Sequence, residues 1–560
     1  MASTGHYLAT QAAVRILEQG GNAFDAGVAA GLCINVVQPD MTNIGGVAPV
    51  MVFDARAGRV STVSGLGYWP AAADASYFIE NCGGKFPAGV RRCVIPAAMD
   101  SWLTTLERWG TMTFREVSEP AIELARDGFA IYPFLRASLV GAAEGLRAWL
   151  SSASVYLPGG AVPRSGDRLV QRDLATTLET LGDAERLAGG AREQGIRAAR
   201  DLFYRGDIAE RIGNFMGEQD GWMTTADLAG FRVEVDENPP SVEYRGYDVF
   251  GCGPWCQGPV ALQTLSILRG YDLSKFESGS ADLLHLILEA LKAAFADREQ
   301  YVGDPNFIDV PLAGMLHPGY ADEWRSRIKM DSANPGMPEP GNPWPFMNRD
   351  VAVSARPPNA FTAPVEPDTS HVCVVDAEGN AMSATPSDGF GGTPVIPGLG
   401  FIVSSRGSQS WLEAGHPSEM APGKRPRLTP NPGLILKDGQ VFAPYGTPGN
   451  DTQPQAMVQF LVNLLDHGMN PQEAVEAPRV ATYSFPRSSH PHPYTPGLAF
   501  AESRIASSVI DELRRRGHNL ELWPDLAAPA GSVCAIVRDA RAGFLTGAAD
   551  PRRLAYAAGW

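Results

Sequence analysis

Apolar residues recur at helical spacing on both sides of Gly20-Gly21-Asn22 in ATQAAVRILEQGGNAFDAGVAAGLCINVV. This predicts two helices separated by a stop, because glycine readily takes the left-handed conformation that ends a helix. The period then changes: NIGGVAPVMVFDARAGRVSTVSG alternates apolar and polar positions and predicts a β-hairpin. Residues 97–215 return to helical patterns such as REVSEPAIELARDGF, in which Pro120 fits only near a helix start. Strands are expected again at SVEYRGYDVFGCG, HVCVVDAEGNAMSAT, GLILKDGQVFAPYG and GSVCAIVRD. A long amphipathic helix is expected over 281–301, with further helices over 454–467 and 504–516. Between 330 and 367 periodicity is lost and eight prolines stand between positions 335 and 364, the signature of an extended tail or surface loop.

Composition narrows the class. A chain of 560 residues with 44% hydrophobic content can bury more than one simple core, so two or more lobes or one extended layered domain are expected. A formal net charge of −16 argues against a nucleic-acid partner, since such proteins carry basic patches and the arginine groups here are isolated. No run of eighteen uncharged apolar residues occurs, and the first twenty residues lack a basic stretch followed by an apolar one. The expectation is a soluble protein of the cytoplasm with no membrane partner, a periplasmic location staying open. Seven cysteines, odd in number and without a CxxC pair, fit buried thiols in a reducing compartment. The histidines form no HExxH, and His490 and His492 lie in a proline-rich loop, so neither a metal site nor a cofactor is expected.

The chemistry concentrates where the irregular tail ends, at PDTSHVCVVDAEGN. A hairpin turn centred near Glu378 pairs positions whose numbers sum to about 756, which sets Ser387 opposite Thr369 and Thr385 opposite His371. A neutral threonine hydroxyl is a poor nucleophile and needs a base within hydrogen-bond reach. An amino-terminal threonine supplies one itself, because its α-amine, with an ordinary pKa of roughly 7.7–8.0, is substantially neutral at physiological pH. From the hairpin alone, ordinary loop and strand residues are the default reading of Asp368 and Thr369.

The surroundings decide. Seven segments in order resemble the γ-glutamyltransferase family of N-terminal nucleophile hydrolases: 16–54, 108–131, 289–307, 367–391, 421–440, 443–455 and 547–560. The resemblance implies an α+β fold, a four-layer αββα sandwich made as one precursor that cuts itself at Asp368–Thr369. The products would be a large subunit, residues 1–368 with a proline-rich tail over about 330–368, and a small subunit, 369–560. The two would remain intertwined, with a dimer of such heterodimers left open. The resemblance also implies that Thr369 attacks a small-molecule amide to form an acyl-enzyme, with Ser387 and Thr385 as its hydroxyl neighbours. GTPGND at 446–451 is similar to the family's oxyanion loop, making the amides of Gly449 and Asn450 candidate donors. Asn450 stands where a second glycine is usual, a change the backbone must tolerate.

The γ-glutamyl clamp is altered. Leu66, in SGLGYWPAAA, occupies the position of the arginine that holds the substrate α-carboxylate; Ser404, Ser405, Arg406 and Gln409 replace the acidic and amide cluster that holds its amine; and Leu428 and Thr429 replace a paired serine. Sites built for polar pairing reject groups they cannot pair, so these losses should remove γ-glutamyl specificity. GPWCQGP, SATPSDG and PVIPGLGF resemble the amidohydrolase and acylase branch, which includes oxamate amidohydrolases. Arg406, Thr429, Asp388 and Gln409 are the candidate substrate contacts. If Arg406 faces the pocket it suits a carboxylate-bearing acyl amide such as oxamate; the alternative is a solvated surface arginine. Tyr68 and Trp69 could wall the pocket, core packing being the default for both. Competing functions are a γ-glutamyl transferase or hydrolase with a changed clamp, a β-lactam side-chain acylase, and a catalytically silent binding homologue.

Overall fold

The computed structural model describes residues 1–363, 369–539 and 542–560. The two predicted N-terminal helices form as Tyr7–Glu18 and Ala23–Val37. Between them Gly20 has φ 91°, and Asn22 caps the second helix in a reciprocal arrangement with Asp25. The hairpin strands follow as Val50–Asp54 and Arg59–Val63.

Two antiparallel sheets lie face to face. The first runs in the order Tyr556–Ala558, Ala2–Thr4, Val372–Val375, Ala381–Ala384, Val50–Asp54, Arg59–Val63, Val235–Asp236. The second runs Phe544–Ala549, Cys534–Asp539, Gln440–Gly446, Gly433–Lys437, Tyr247–Phe250, Ser241–Tyr244. Strand alternation builds the layers, since successive side chains point to opposite faces. Cys373 and Val375 meet Leu434, Leu436, Cys534 and Ile536 between the sheets. Val372 and Val374 point the other way, into the core with the helices Tyr7–Glu18 and Ala23–Val37. On the far side Ile435, Ala443 and Tyr445 pack with the helices Gly258–Leu268, Ala281–Tyr301 and Gln453–Leu465. The result is the expected four-layer αββα sandwich. Each fully buried valine, leucine or isoleucine adds about 1.5–3 kcal/mol, so the three apolar seams hold the layers in register.

Two expectations need correction. Pro120 lies inside the helix Phe114–Asp127, not at its start. A capping box between Thr113 and Glu116 and the buried face Phe114, Val117, Ala121, Ile122 and Ala125 outweigh the one backbone hydrogen bond that proline forgoes. The helix Ala281–Tyr301 is not amphipathic; it is buried nearly all round, with His285, Glu289, Lys292, Asp297 and Arg298 inside. The segment from 330 to 363 is irregular apart from a turn of 3-10 helix at Trp344–Met347 and a single antiparallel bridge between Phe361 and Tyr494. Among the described residues no helix is long and apolar enough to cross a membrane.

Candidate active site

Val372–Val375 and Ala381–Ala384 pair in the expected register: Val372 faces Ala384, Cys373 faces Ser383, and Val374 faces Met382. Continued outward, the pairing carries the Ser370 amide to the Pro386 carbonyl at 3.0 Å and the Thr369 and Ser387 hydroxyls to 2.7 Å of each other. Ser387 is held from behind by a bridge to Val47, whose carbonyl accepts the Ser387 amide at 2.9 Å. This approach requires glycine at position 46, where a Cβ would lie 2.4 Å from the Ser387 carbonyl. Thr369 is buried and has φ 128°, a conformation that costs a non-glycine residue on the order of 1–3 kcal/mol and persists only where the surroundings enforce it. Asp368 lies outside the described residues.

Thr385 sits as the register requires, with its hydroxyl 3.0 Å from His371 Nδ1 and not on Thr369. His371 was not singled out from the sequence, although it shares the strand face of Thr369. Its ring is fully buried, with Nε2 3.2 Å from Cys373 Sγ and 3.3 Å from Ser383 Oγ. Burial pushes its pKa down to about 3, so the imidazole is neutral. The second sheet closes on this ring at Gly446, where a Cβ would fall 2.2 Å from His371 Cε1.

Arg406 is not a surface side chain; only 3% of it is exposed. Its Nη2 donates to Ser387 Oγ, and its Nε lies 3.1 Å from Asp388 Oδ1. Asp388, itself buried at φ 85°, accepts from the Ser404 hydroxyl at 2.5 Å and the Ser405 hydroxyl at 3.2 Å. Ser404 and Ser405 thus hold an aspartate that holds the arginine. Gln409 donates to Thr429 Oγ1 at 2.9 Å and accepts the Thr429 amide at 3.3 Å; Thr429 in turn donates to Asn450 Oδ1 at 3.4 Å.

Asn450 tolerates the glycine position by adopting φ 51°, the left-handed well that asparagine visits more readily than most residues, next to Gly449 at φ 127°. A helical turn begins at Asn450 and runs into the helix Gln453–Leu465, so the Gly449 and Asn450 amides lie at a helix start, where partial positive charge collects. Pro448, just before them, lines a small cavity together with Thr369. Beneath the turn is a buried polar lattice that the sequence did not reveal. Gln257 Nε2 donates to the carbonyls of Asn450 (2.8 Å) and Thr429 (2.9 Å). Arg298 Nη1 donates to Gln257 Oε1 (3.1 Å), Asp451 Oδ1 (2.6 Å) and Ser488 Oγ (3.1 Å). Although burial opposes it, Arg427 and Arg298 hold the Glu299 carboxyl well below the usual range. GPWCQGP and GTPGND contain Gln257 and Asp451, but nothing in their spacing points to Arg298 between them.

Leu66 packs between the sheets with Met51, Phe53, Trp255 and Cys256, and Leu428 shares that core. Trp69 is fully buried, its indole donating to Ser410 Oγ at 2.9 Å, and Tyr68 packs on Phe231; both follow the core reading. His490 and His492 stack at right angles in their loop. Among the described residues one group of metal-capable side chains converges, His285, Glu289 and His518, where the Lys292 ammonium already occupies Glu289 at 2.7 Å.

Comparison with known proteins fits this arrangement. Residues 9–560 match the family model described as Gamma-glutamyltranspeptidase. The chain is 32% identical to the glutathione hydrolase-like YwrD proenzyme of Bacillus subtilis, over 99% of this chain and 97% of that protein. It is 34% identical to the acylase ACY 1 proenzyme of Pseudomonas sp. strain SE83, over 98% and 91% of the two chains. The cephalosporin acylase structure from Bacillus halodurans superposes with a TM-score of 0.86 at 28% identity, covering 100% of this chain and 95% of that one. The chain therefore belongs to the γ-glutamyltranspeptidase family of N-terminal nucleophile hydrolases and is an amide-bond hydrolase.

Proposed function

We propose that the chain is a self-processing amidohydrolase in which Thr369 is both the residue released by cleavage and the nucleophile of turnover. The observation that carries this reading is the 2.7 Å contact between the Thr369 and Ser387 hydroxyls at the head of the central hairpin. In processing, Thr369 Oγ1 attacks the carbonyl of Asp368, the acyl group passes from nitrogen to oxygen, and water releases the ester. The unfavourable φ at Thr369 supports a bond held ready to break. Both sheets combine strands from before and after position 369, and the seven-stranded one interleaves them, so the two pieces would stay wound together.

In turnover, Thr369 Oγ1 bonds to the substrate carbonyl carbon while its proton passes to the Thr369 α-amine. That amine hands the proton to the leaving amine as the C–N bond breaks, then draws one from the water that hydrolyses the ester. The amides of Gly449 and Asn450 would receive the oxyanion, each such donor being worth roughly a hundredfold or more in rate. The lost arginine position at Leu66 argues against a γ-glutamyl acyl group. Because Asp388 balances the charge of Arg406, we read the acyl group as short and polar, recognised through Gln409 and Thr429 more than by a free cation. The oxamate amidohydrolase proenzyme of Klebsiella pneumoniae, 29% identical over 100% of this chain and 98% of that protein, supports oxamate-type amides. An acylase reading is favoured by the likeness to the acylase ACY 1 proenzyme of Pseudomonas sp. strain SE83, 34% identical over 98% of this chain.

Intact mass under denaturing conditions and N-terminal sequencing test the proposal. Two fragments are expected, the smaller beginning Thr-Ser-His-Val, with turnover of oxamate or glutaryl amides exceeding that of γ-glutamyl anilides. A single 59.8 kDa species would remove the catalytic base.

A further inference from the structure

The nucleophile's partner, Ser387, is itself held by a cation, and this makes the 2.7 Å Thr369–Ser387 contact directional. A serine hydroxyl has one proton to give and two lone pairs, whereas a guanidinium can only donate. With Arg406 Nη2 donating to Ser387 Oγ, the positive charge repels the hydroxyl hydrogen and turns it toward Thr369 Oγ1. Ser387 then acts as a donor to the nucleophile oxygen, the arrangement that stabilises negative charge on Oγ1 both as attack begins and as the ester later releases it. Hydrogen bonds in series polarise one another, so the guanidinium strengthens the contact it does not itself make.

The setting is built for orientation without net charge. Arg406 is 3% exposed, Asp388 is fully buried 3.1 Å away at φ 85°, and the hydroxyls of Ser404 and Ser405 both donate to the Asp388 carboxylate. A cation meant to capture a substrate carboxylate gains nothing from a buried counter-charge and two serines locking it in place; one meant to aim a hydroxyl gains a fixed geometry.

We propose that Arg406 is a positioning residue: with Asp388, Ser404 and Ser405 it fixes Ser387 as hydrogen-bond donor to Thr369 Oγ1, in self-cleavage and in turnover alike. This rests on the reading of Thr369 as nucleophile.

The test is a double-mutant cycle with Ser387→Ala, Arg406→Gln and both together, scored by self-cleavage rate, kcat and KM on the best amide substrate, beside Arg406→Lys. Arg406→Gln is expected to slow cleavage and kcat together by roughly thirtyfold or more, with KM changed less than about threefold. Arg406→Lys, which keeps a charged donor, should recover most of that loss. In the Ser387→Ala background Arg406→Gln should cost under about twofold more, since the group it acts through is gone. Additive losses overturn the proposal, as does a raised KM with unchanged kcat, which would make Arg406 a substrate contact. If Arg406→Gln fails to fold, Asp388→Asn, which removes the carboxylate that aims the arginine, takes its place in the cycle with the same expected and overturning outcomes. The wild-type fragments separate the two levels: an uncut wild-type chain sinks the nucleophile assignment itself, whereas a cut wild type with an additive cycle sinks only the positioning role.

Discussion

The two sides of the candidate site are built by different kinds of contact. Thr369 and Ser387 are 18 residues apart and meet because a hairpin register brings them together. Gln409, Thr429 and Asn450, with Gln257 and Arg298 beneath, come from five separate stretches and meet only through buried polar contacts. The Thr369–Ser387 pair is thus brought together by main-chain geometry, and only the aim of its hydroxyls depends on neighbouring side chains such as Arg406. The opposite wall depends on every member of its lattice, and that is also the side on which this chain departs from the γ-glutamyl clamp.

Removing the proposed nucleophile breaks the hairpin side outright. Thr369→Ala should remain a single uncut chain and lose amidase activity by roughly four orders of magnitude or more, since residues that act as one unit fail together. Mass spectrometry and amide turnover read both effects. Two fragments in this variant would move the cleavage site elsewhere.

On the other side, the largest expected effect is on stability. Arg298→Met leaves the Asp451 carboxylate buried with its charge partner gone, a change that typically costs about 3–5 kcal/mol. Thermal unfolding should shift well below wild type, and the turn at Gly449 and Asn450 should loosen with it. A Tm within a degree or two of wild type would mean that the Gln257 and Ser488 contacts suffice.

How much of this was legible follows the same division. Alternation along HVCVVDAEGNAMSAT and a turn at Glu378 fixed the register to the residue, because strand pairing is a local rule with a period of two. The first two helices were legible from Gly20 and Asn22 for the same reason. Pro120 misled because the capping box that fixes the true helix start, Thr113 and Glu116, lies a full turn earlier. The helix at 281–301 misled because its polar residues answer buried partners from distant segments, such as Asp451 for Arg298. Arg406 could be placed near the site by resemblance, but its burial and its bond to Ser387 depend on Asp388, Ser404 and Ser405 folding around it, which no periodicity encodes.

Ser387→Ala sharpens the comparison at an intermediate level. The register survives, since its main-chain bonds to Val47 are untouched, while Thr369 Oγ1 loses its hydroxyl neighbour. Self-cleavage and turnover should both fall by roughly ten- to a hundredfold with little change in Tm. Equal loss of stability would make Ser387 a structural member of the hairpin.

The smallest effect expected lies where the two sides touch, at His371. Its folded-state pKa, pushed down to about 3 by burial, lies below its ordinary value of 6.5. Between those values the unfolded chain binds a proton that the folded protein refuses, so this histidine's contribution is complete above pH 6.5 and is lost as pH falls toward 3. At pH 5.5, one unit below the ordinary value, the loss amounts to about 1.4 kcal/mol for this one group. Other buried histidines, among them His416 and His492, are shifted the same way, so the wild type alone cannot isolate the effect. His371→Gln keeps a polar side chain for Thr385 and removes the titration. Its unfolding free energy should therefore decline less steeply than that of wild type between pH 7 and 5.5, by about 1 kcal/mol. Parallel pH curves for the two proteins would show that the ring is protonated in place, and that Gly446 and the second sheet close on it less tightly than their contact distances imply.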